Sequence, residues 1–179
     1  PQLVLAFFFN RTQVSGVFMS RWVVVCLCVV CAGVGVSATA EATEWFVAPG
    51  GTGTGTVTAP FGRIQSAINA AQPGDTVTVA NGTYAERLQS VRNGAAGLPI
   101  RVRATNARSV LVTMSGRVLS LGHAYITIEG LVFDGQYGTD DTIRLTSLAS
   151  YATFRNIEVR RSSRDLIDMG APLGVVIED

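Results

Sequence analysis

The residues that could do chemistry fall at regular intervals. Ser120, Arg144 and Asp168 are each the middle of an apolar–polar–apolar triplet: Leu119 to Leu121, Ile143 to Leu145, and Ile167 to Met169. The triplets recur at intervals of 24 residues. Two residues before each stands a second polar group: Arg117, Asp141 and Asp165. An arginine among carboxylates can neutralise the acid group of a substrate. Strongly perturbed, it could instead take the proton beside that group. Arginine keeps its charge to above about pH 12, so the second role demands much more of its surroundings. On this pattern Arg144 and Asp168 are the catalytic candidates, and Arg117 and Ser120 the substrate-binding ones. Asp141 and Asp165 are candidate ligands for calcium, a hard cation that takes carboxylate oxygens. The same groups also read as a solvated face with ion pairs between neighbouring strands. A second column favours pairing: Glu129, Arg155 and Glu178 alternate in sign, as do Asp134 and Arg160.

Such columns require elements that return to the same place every two dozen residues. Ile128-Glu129-Gly130, Phe154-Arg155-Asn156 and Ile177-Glu178-Asp179 form another set, at intervals of 26 and 23. The stretch from Tyr125 to Phe133 matches the stretch from Tyr151 to Val159 position by position. Short alternating runs bounded by glycine and asparagine make up each repeat, with no helical periodicity. A period in this range with strands alone predicts a stacked solenoid, an all-β parallel β-helix. Gly130, Asn156 and Asp179 share one place between strands, and all three types tolerate left-handed backbone. One helix is expected, from Phe61 to Ala71, where Ile64, Ala67, Ile68 and Ala71 are spaced by three and four before Pro73-Gly74. Phe61, Ile64 and Ile68 would cover the apolar end of the solenoid. Residues 43–60 read as a short strand, Trp45 to Val47, followed by a flexible Gly/Thr-rich connector. Residues 61–179 read as the capping helix and the first rungs.

Composition excludes several chemistries. The chain has 179 residues and a formal net charge of +1, which does not suggest nucleic acid as a partner. All its basic residues are arginine, so Schiff-base, P-loop and lysine-base chemistry are absent from these residues. A single histidine, His123, excludes a multi-histidine metal site, and it reads as a packed or surface residue. The sequon Asn81-Gly82-Thr83 also makes an ordinary tight turn, which is the preferred reading.

Residues 19–42 have the form of a signal peptide: Arg21, an apolar run from Val23 to Val36, then Ala38, Ala40 and Ala42. Residues 1–18 precede Met19 and are expected to be a non-native upstream extension. The three cysteines lie inside the signal region, so the mature chain would carry neither disulfide nor thiol nucleophile. The protein is accordingly expected to be secreted or extracytoplasmic, with no stable membrane insertion after cleavage.

The stretch from Trp45 to Gly51, then Ala59 to Ile68, Pro73 to Val77, Asn81 to Tyr84, and Gly97 to Ala104, resembles the N-terminal module of right-handed parallel β-helix proteins of the pectate-lyase-like superfamily. The resemblance covers residues 44–179 and is more specific for fold than for activity. It implies a secreted protein acting on acidic polysaccharide by β-elimination, working as a monomer, with calcium as the candidate cofactor. A lysine base, common in the families most resembled, cannot exist in this sequence. The base would be an arginine or a residue beyond Asp179. A glycoside hydrolase on the same fold, using a carboxylate pair such as Asp141 and Asp165, stays open. So does a non-catalytic solenoid that binds glycan or a protein partner. Because the last triplet column ends on an inward Ile177, the sequence is expected to be a fragment of a longer protein. Expression in a secreting host should yield a product that starts at Glu41 or Thr43. N-terminal sequencing of the exported material checks this, and retention of Met19 would contradict it.

Overall fold

The computed structural model describes residues 41–179. The upstream extension expected over 1–18, and all but the last two residues of the signal segment expected over 19–42, lie outside the described residues.

The chain forms strands β1 (Glu44–Val47), β2 (Thr76–Val79), β3 (Gly82–Tyr84), β4 (Leu88–Gln89), β5 (Ile100–Ala104), β6 (Val110–Thr113) and β7 (Leu119–Leu121). It continues through β8 (Ile126–Glu129), β9 (Leu131–Asp134), β10 (Ile143–Leu145), β11 (Thr153–Arg155), β12 (Glu158–Arg160), β13 (Ile167–Met169) and β14 (Val176–Glu178). One helix, α1 (Ile64–Ala70), lies between β1 and β2. The strands build three parallel sheets, ordered β1-β2-β5-β8-β11-β14, β4-β7-β10-β13 and β3-β6-β9-β12. Each circuit of the chain adds one strand to each sheet, which is a parallel β-helix.

The register follows the apolar columns. Leu119, Ile143 and Ile167 are direct partners, and Ile128, Phe154 and Ile177 are another set. Tyr84, Val112, Phe133 and Val159 line the third sheet. Slipping any strand by one residue would turn its inward side chains to water, so burial enforces the register. The corners need left-handed backbone: Gly130 has φ 75° and Asn156 φ 49°.

At the N-terminal end, α1 buries Ile64, Ala67 and Ile68 against the first rungs. Phe61 departs from the expected capping helix. Its backbone is extended and pairs with Phe46, and its ring stacks on Trp45 with centroids 6.0 Å apart. The 50–60 segment, expected to be a flexible connector, folds back on β1 instead. Phe46 N–H donates to the Gly55 carbonyl at 2.8 Å and Gly53 N–H to the Pro60 carbonyl at 3.0 Å. A Cβ on Gly53 would lie 2.1 Å from the Ala59 oxygen, so glycine is there for close backbone approach.

A helix of seven residues is too short to be stable by itself, and the rungs supply its ends. Buried Glu86 accepts from the N–H groups of Ile64 at 2.7 Å and Gln65 at 3.2 Å. At the other end, Arg92 donates to the carbonyls of Ala71 and Asn69, both at 2.8 Å. A carboxylate at the N-terminus and a guanidinium at the C-terminus match the helix dipole. Asp75, also buried, accepts from Thr43 N–H at 2.8 Å, Gln72 N–H at 2.8 Å and the Trp45 indole at 3.0 Å, tying the first strand to the second. Glu86→Gln should lower stability by about 1–2 kcal/mol through the loss of a charged helix cap. Arg63→Ala, which removes only an exposed partner of Glu86, should change stability far less. Thermal melts followed by circular dichroism test both, and equal effects would remove Glu86 from its capping role.

Candidate functional site

Three loops stack at the corner between the β3-β6-β9-β12 sheet and the β4-β7-β10-β13 sheet: 114–118, 135–142 and 161–166. Gly116 N–H donates to the Gly135 carbonyl at 2.9 Å, and Gly135 N–H to the Arg160 carbonyl at 3.1 Å. These loops and the outward face of β7, β10 and β13 bring most of the sequence candidates together. Ser120, Arg144 and Asp168 are register partners in one column, and Gln89 of β4 extends it. Arg144 Nη1 lies 2.7 Å from Asp168 Oδ2 and 3.7 Å from Asp141 Oδ2. Arg117 approaches from the neighbouring loop, with Nη2 3.6 Å from Asp140 Oδ1 and 4.0 Å from Asp141 Oδ2.

Asp141 is the centre of the corner. It is fully buried, and guanidinium nitrogens of Arg117, Arg144 and Arg164 stand within 4.0 Å of its carboxylate. Neither oxygen receives a hydrogen bond, and Arg117 Nε and Thr142 Oγ1 beside it are also buried without partners. A buried carboxylate that lacks hydrogen bonds would be costly without this ring of positive charge. Arg164, which sequence reasoning overlooked, completes the ring. It falls between the columns and no repeat marks it.

The donor set does not suit the calcium expected at Asp141 and Asp165. Calcium wants six to eight oxygens. Asp141 already faces three guanidinium groups, and Asp168 is paired to Arg144. Asp165 is exposed and takes part through its backbone carbonyl, which accepts from Thr142 N–H at 3.2 Å. Among the described residues no group of three or more histidine, cysteine, aspartate or glutamate side chains is assembled for a metal.

On the other side of the same loops lies Asp134, wholly buried at the end of β9. It accepts from Arg160 Nε at 2.9 Å, Arg161 Nε at 2.7 Å and the Gln136 N–H at 3.1 Å. The alternating charges of Asp134 and Arg160 were legible in the sequence, whereas Arg161 was not, since it pairs from a loop. Its hydrogen bond is the largest cause holding the Asp134 carboxyl below the ordinary carboxylate range, against desolvation, which acts the other way. The remaining charge column is structural: Glu129, Arg155 and Glu178 are register partners, and Arg155 pairs with Glu178. His123 sits part-buried, its Nδ1 2.9 Å from Ser90 Oγ.

Fold and corner together define a pectate-lyase-like parallel β-helix. The family model for Chondroitinase B matches residues 60–157, which is more than half of the chain, and the chain belongs to that family. Among solved structures, the crystal structure of pectate lyase Pel9A superposes with a TM-score of 0.56 at 20% identity. The match covers 67% of this chain and 34% of that one, so the chain spans about a third of the length of this relative. At that identity the likeness shows the fold alone. No curated protein matches the chain.

Because the Asp134 carboxyl titrates lower in the folded chain than in the unfolded one, its contacts stabilise the protein at neutral pH. That stabilisation is lost as the pH falls from about 4 downward. Asp134→Asn should lower the melting temperature at pH 7 and flatten the acid limb of a melting-temperature profile. An unchanged acid limb would show that other carboxylates carry it.

Proposed function

We propose that the whole protein is exported and acts on uronate-containing polysaccharide by β-elimination, with the Asp141 corner recognising the acid groups of the chain. The observation that carries this is the ring of Arg117, Arg144 and Arg164 around one buried carboxylate on the outer face of a β-helix of this family. Asp141 holds the guanidinium groups in place from below, and their outer nitrogens stay available: the side chains of Arg144 and Arg164 are 44% and 61% exposed. A pre-placed guanidinium needs little further ordering to accept a carboxylate, which it matches with paired N–H donors.

In β-elimination the proton beside the carboxylate is removed while negative charge grows on the acid group; the glycosidic C–O bond one carbon further then breaks, leaving a C=C double bond on one chain and a hydroxyl, once protonated, on the other. Cationic donors aimed at that group stabilise the charge where it develops. Arg144 fits this clamp role. Its tie to Asp168 holds the guanidinium along the column, so Asp168 positions it, and the proton acceptor would be another group. Ser120 and Gln89 extend the same outward column and offer hydroxyl and amide partners to sugar hydroxyls. The hydrolase alternative has less support, because Asp141 is fully buried and cannot reach a glycosidic oxygen. Export rests on the signal-like segment. Among the described residues no helix is long and apolar enough to cross a membrane.

The secreted protein should raise the ultraviolet absorbance of at least one of pectate, alginate or chondroitin, through unsaturated chain ends, in assays run with and without calcium. Arg144→Ala should lower kcat/KM by ~10- to 100-fold, the loss of a charge-assisted contact. New reducing ends without absorbance would indicate hydrolysis. Binding of the polymers without any product would indicate a recognition solenoid.

A further inference from the structure

The loop joining β9 to β10 carries a feature that the arginine corner does not use. Gln136 and Tyr137 both have left-handed backbone, with φ of 49° and 56°. Side chains with a Cβ rarely sit there, and two in succession persist only where their surroundings hold them. Here the hold is extensive. Gln136 N–H donates to Asp134 Oδ1 at 3.1 Å, and its side-chain Nε2 donates to Thr113 Oγ1 at 2.9 Å. Tyr137 N–H donates to the Arg161 carbonyl at 2.6 Å. Gly138 follows so close to the next loop that a Cβ on it would lie 2.0 Å from the Gly116 nitrogen.

All this fixes a backbone whose exposed product is one aromatic side chain. Tyr137 is 70% exposed, although a ring of its size gains most by being covered. Arg160 and Arg161 are gathered on Asp134 where this loop begins, and it is the Arg161 carbonyl that holds the Tyr137 N–H. Arg117, Arg144 and Arg164, gathered on Asp141, lie at the other end of the same loop.

We propose that Tyr137 is a stacking platform for a pyranose ring of an acidic polysaccharide, next to the arginines that take its acid groups. The inference rests on the acidic-polysaccharide reading above and adds a subsite to it. One face of a pyranose is largely C–H. Laid on the phenol ring it leaves water together with the ring, while the sugar hydroxyls and the phenol tip stay hydrated. The rigid backbone means that little ordering remains to be done on binding.

Calorimetry on the full chain with size-defined chondroitin and polygalacturonate oligosaccharides tests this. Tyr137→Ala should weaken binding ~10-fold, a loss expected for one aromatic contact, with the salt dependence unchanged because no charge is removed. Tyr137→Phe should keep the affinity but lose the tyrosine ultraviolet difference band that the sugar induces. Arg144→Ala should weaken binding and reduce its salt dependence. Wild-type affinity in Tyr137→Ala alongside a loss in Arg144→Ala would overturn the platform and leave the acid-recognition reading standing. If the wild type binds neither oligosaccharide, both fall. Should Tyr137→Ala melt early, the Phe variant decides: a difference band that persists in it places the sugar elsewhere and overturns the proposal.

Discussion

The structure depends on one constraint: every circuit of the chain must bring like residues back into parallel register. Backbone hydrogen bonds between rungs are indifferent to side chains, so register is chosen by burial. Phe133, Phe154, Leu131 and Leu145 are wholly inaccessible because each sits on another apolar residue one rung away. Once that is met, the outward residues are aligned as a consequence. Ser120, Arg144 and Asp168 meet because the leucines and isoleucines that flank them meet.

The polar interior of the loops follows a second rule. Among the described residues four acidic side chains are buried, and each gathers N–H donors or guanidinium charge from elements distant in sequence. Glu86 takes the first N–H groups of α1, and Asp75 takes the start of β1. Asp134 and Asp141 gather arginines from adjacent loops. The first two brace the helical end, and the second two brace a corner. Glu86 also holds one exposed guanidinium, Arg63, but several gather together only at the corner, which is why function is placed there.

The fold was legible because a parallel β-helix writes its register into the sequence as recurring triplets. The outward column was legible for the same reason. The loops were not. Arg161 and Arg164 lie between strands, where length and spacing vary from rung to rung, so no periodicity points to them. The Gly/Thr segment looked flexible by composition, yet its glycines serve close packing, which composition cannot distinguish from freedom. Asp141 and Asp165 illustrate the limit well. They share a column two residues before their triplets, but one is buried among guanidinium groups and the other is exposed.

By itself, then, the sequence determined the solenoid, its strand register and the charge columns, because those depend on apolar spacing that recurs along a single chain. The tertiary structure alone decided which charges pair, which carboxylate is buried and how Tyr137 is held out to solvent. Those outcomes depend on loops from different rungs reaching the same place, and that meeting exists only once the rungs have stacked.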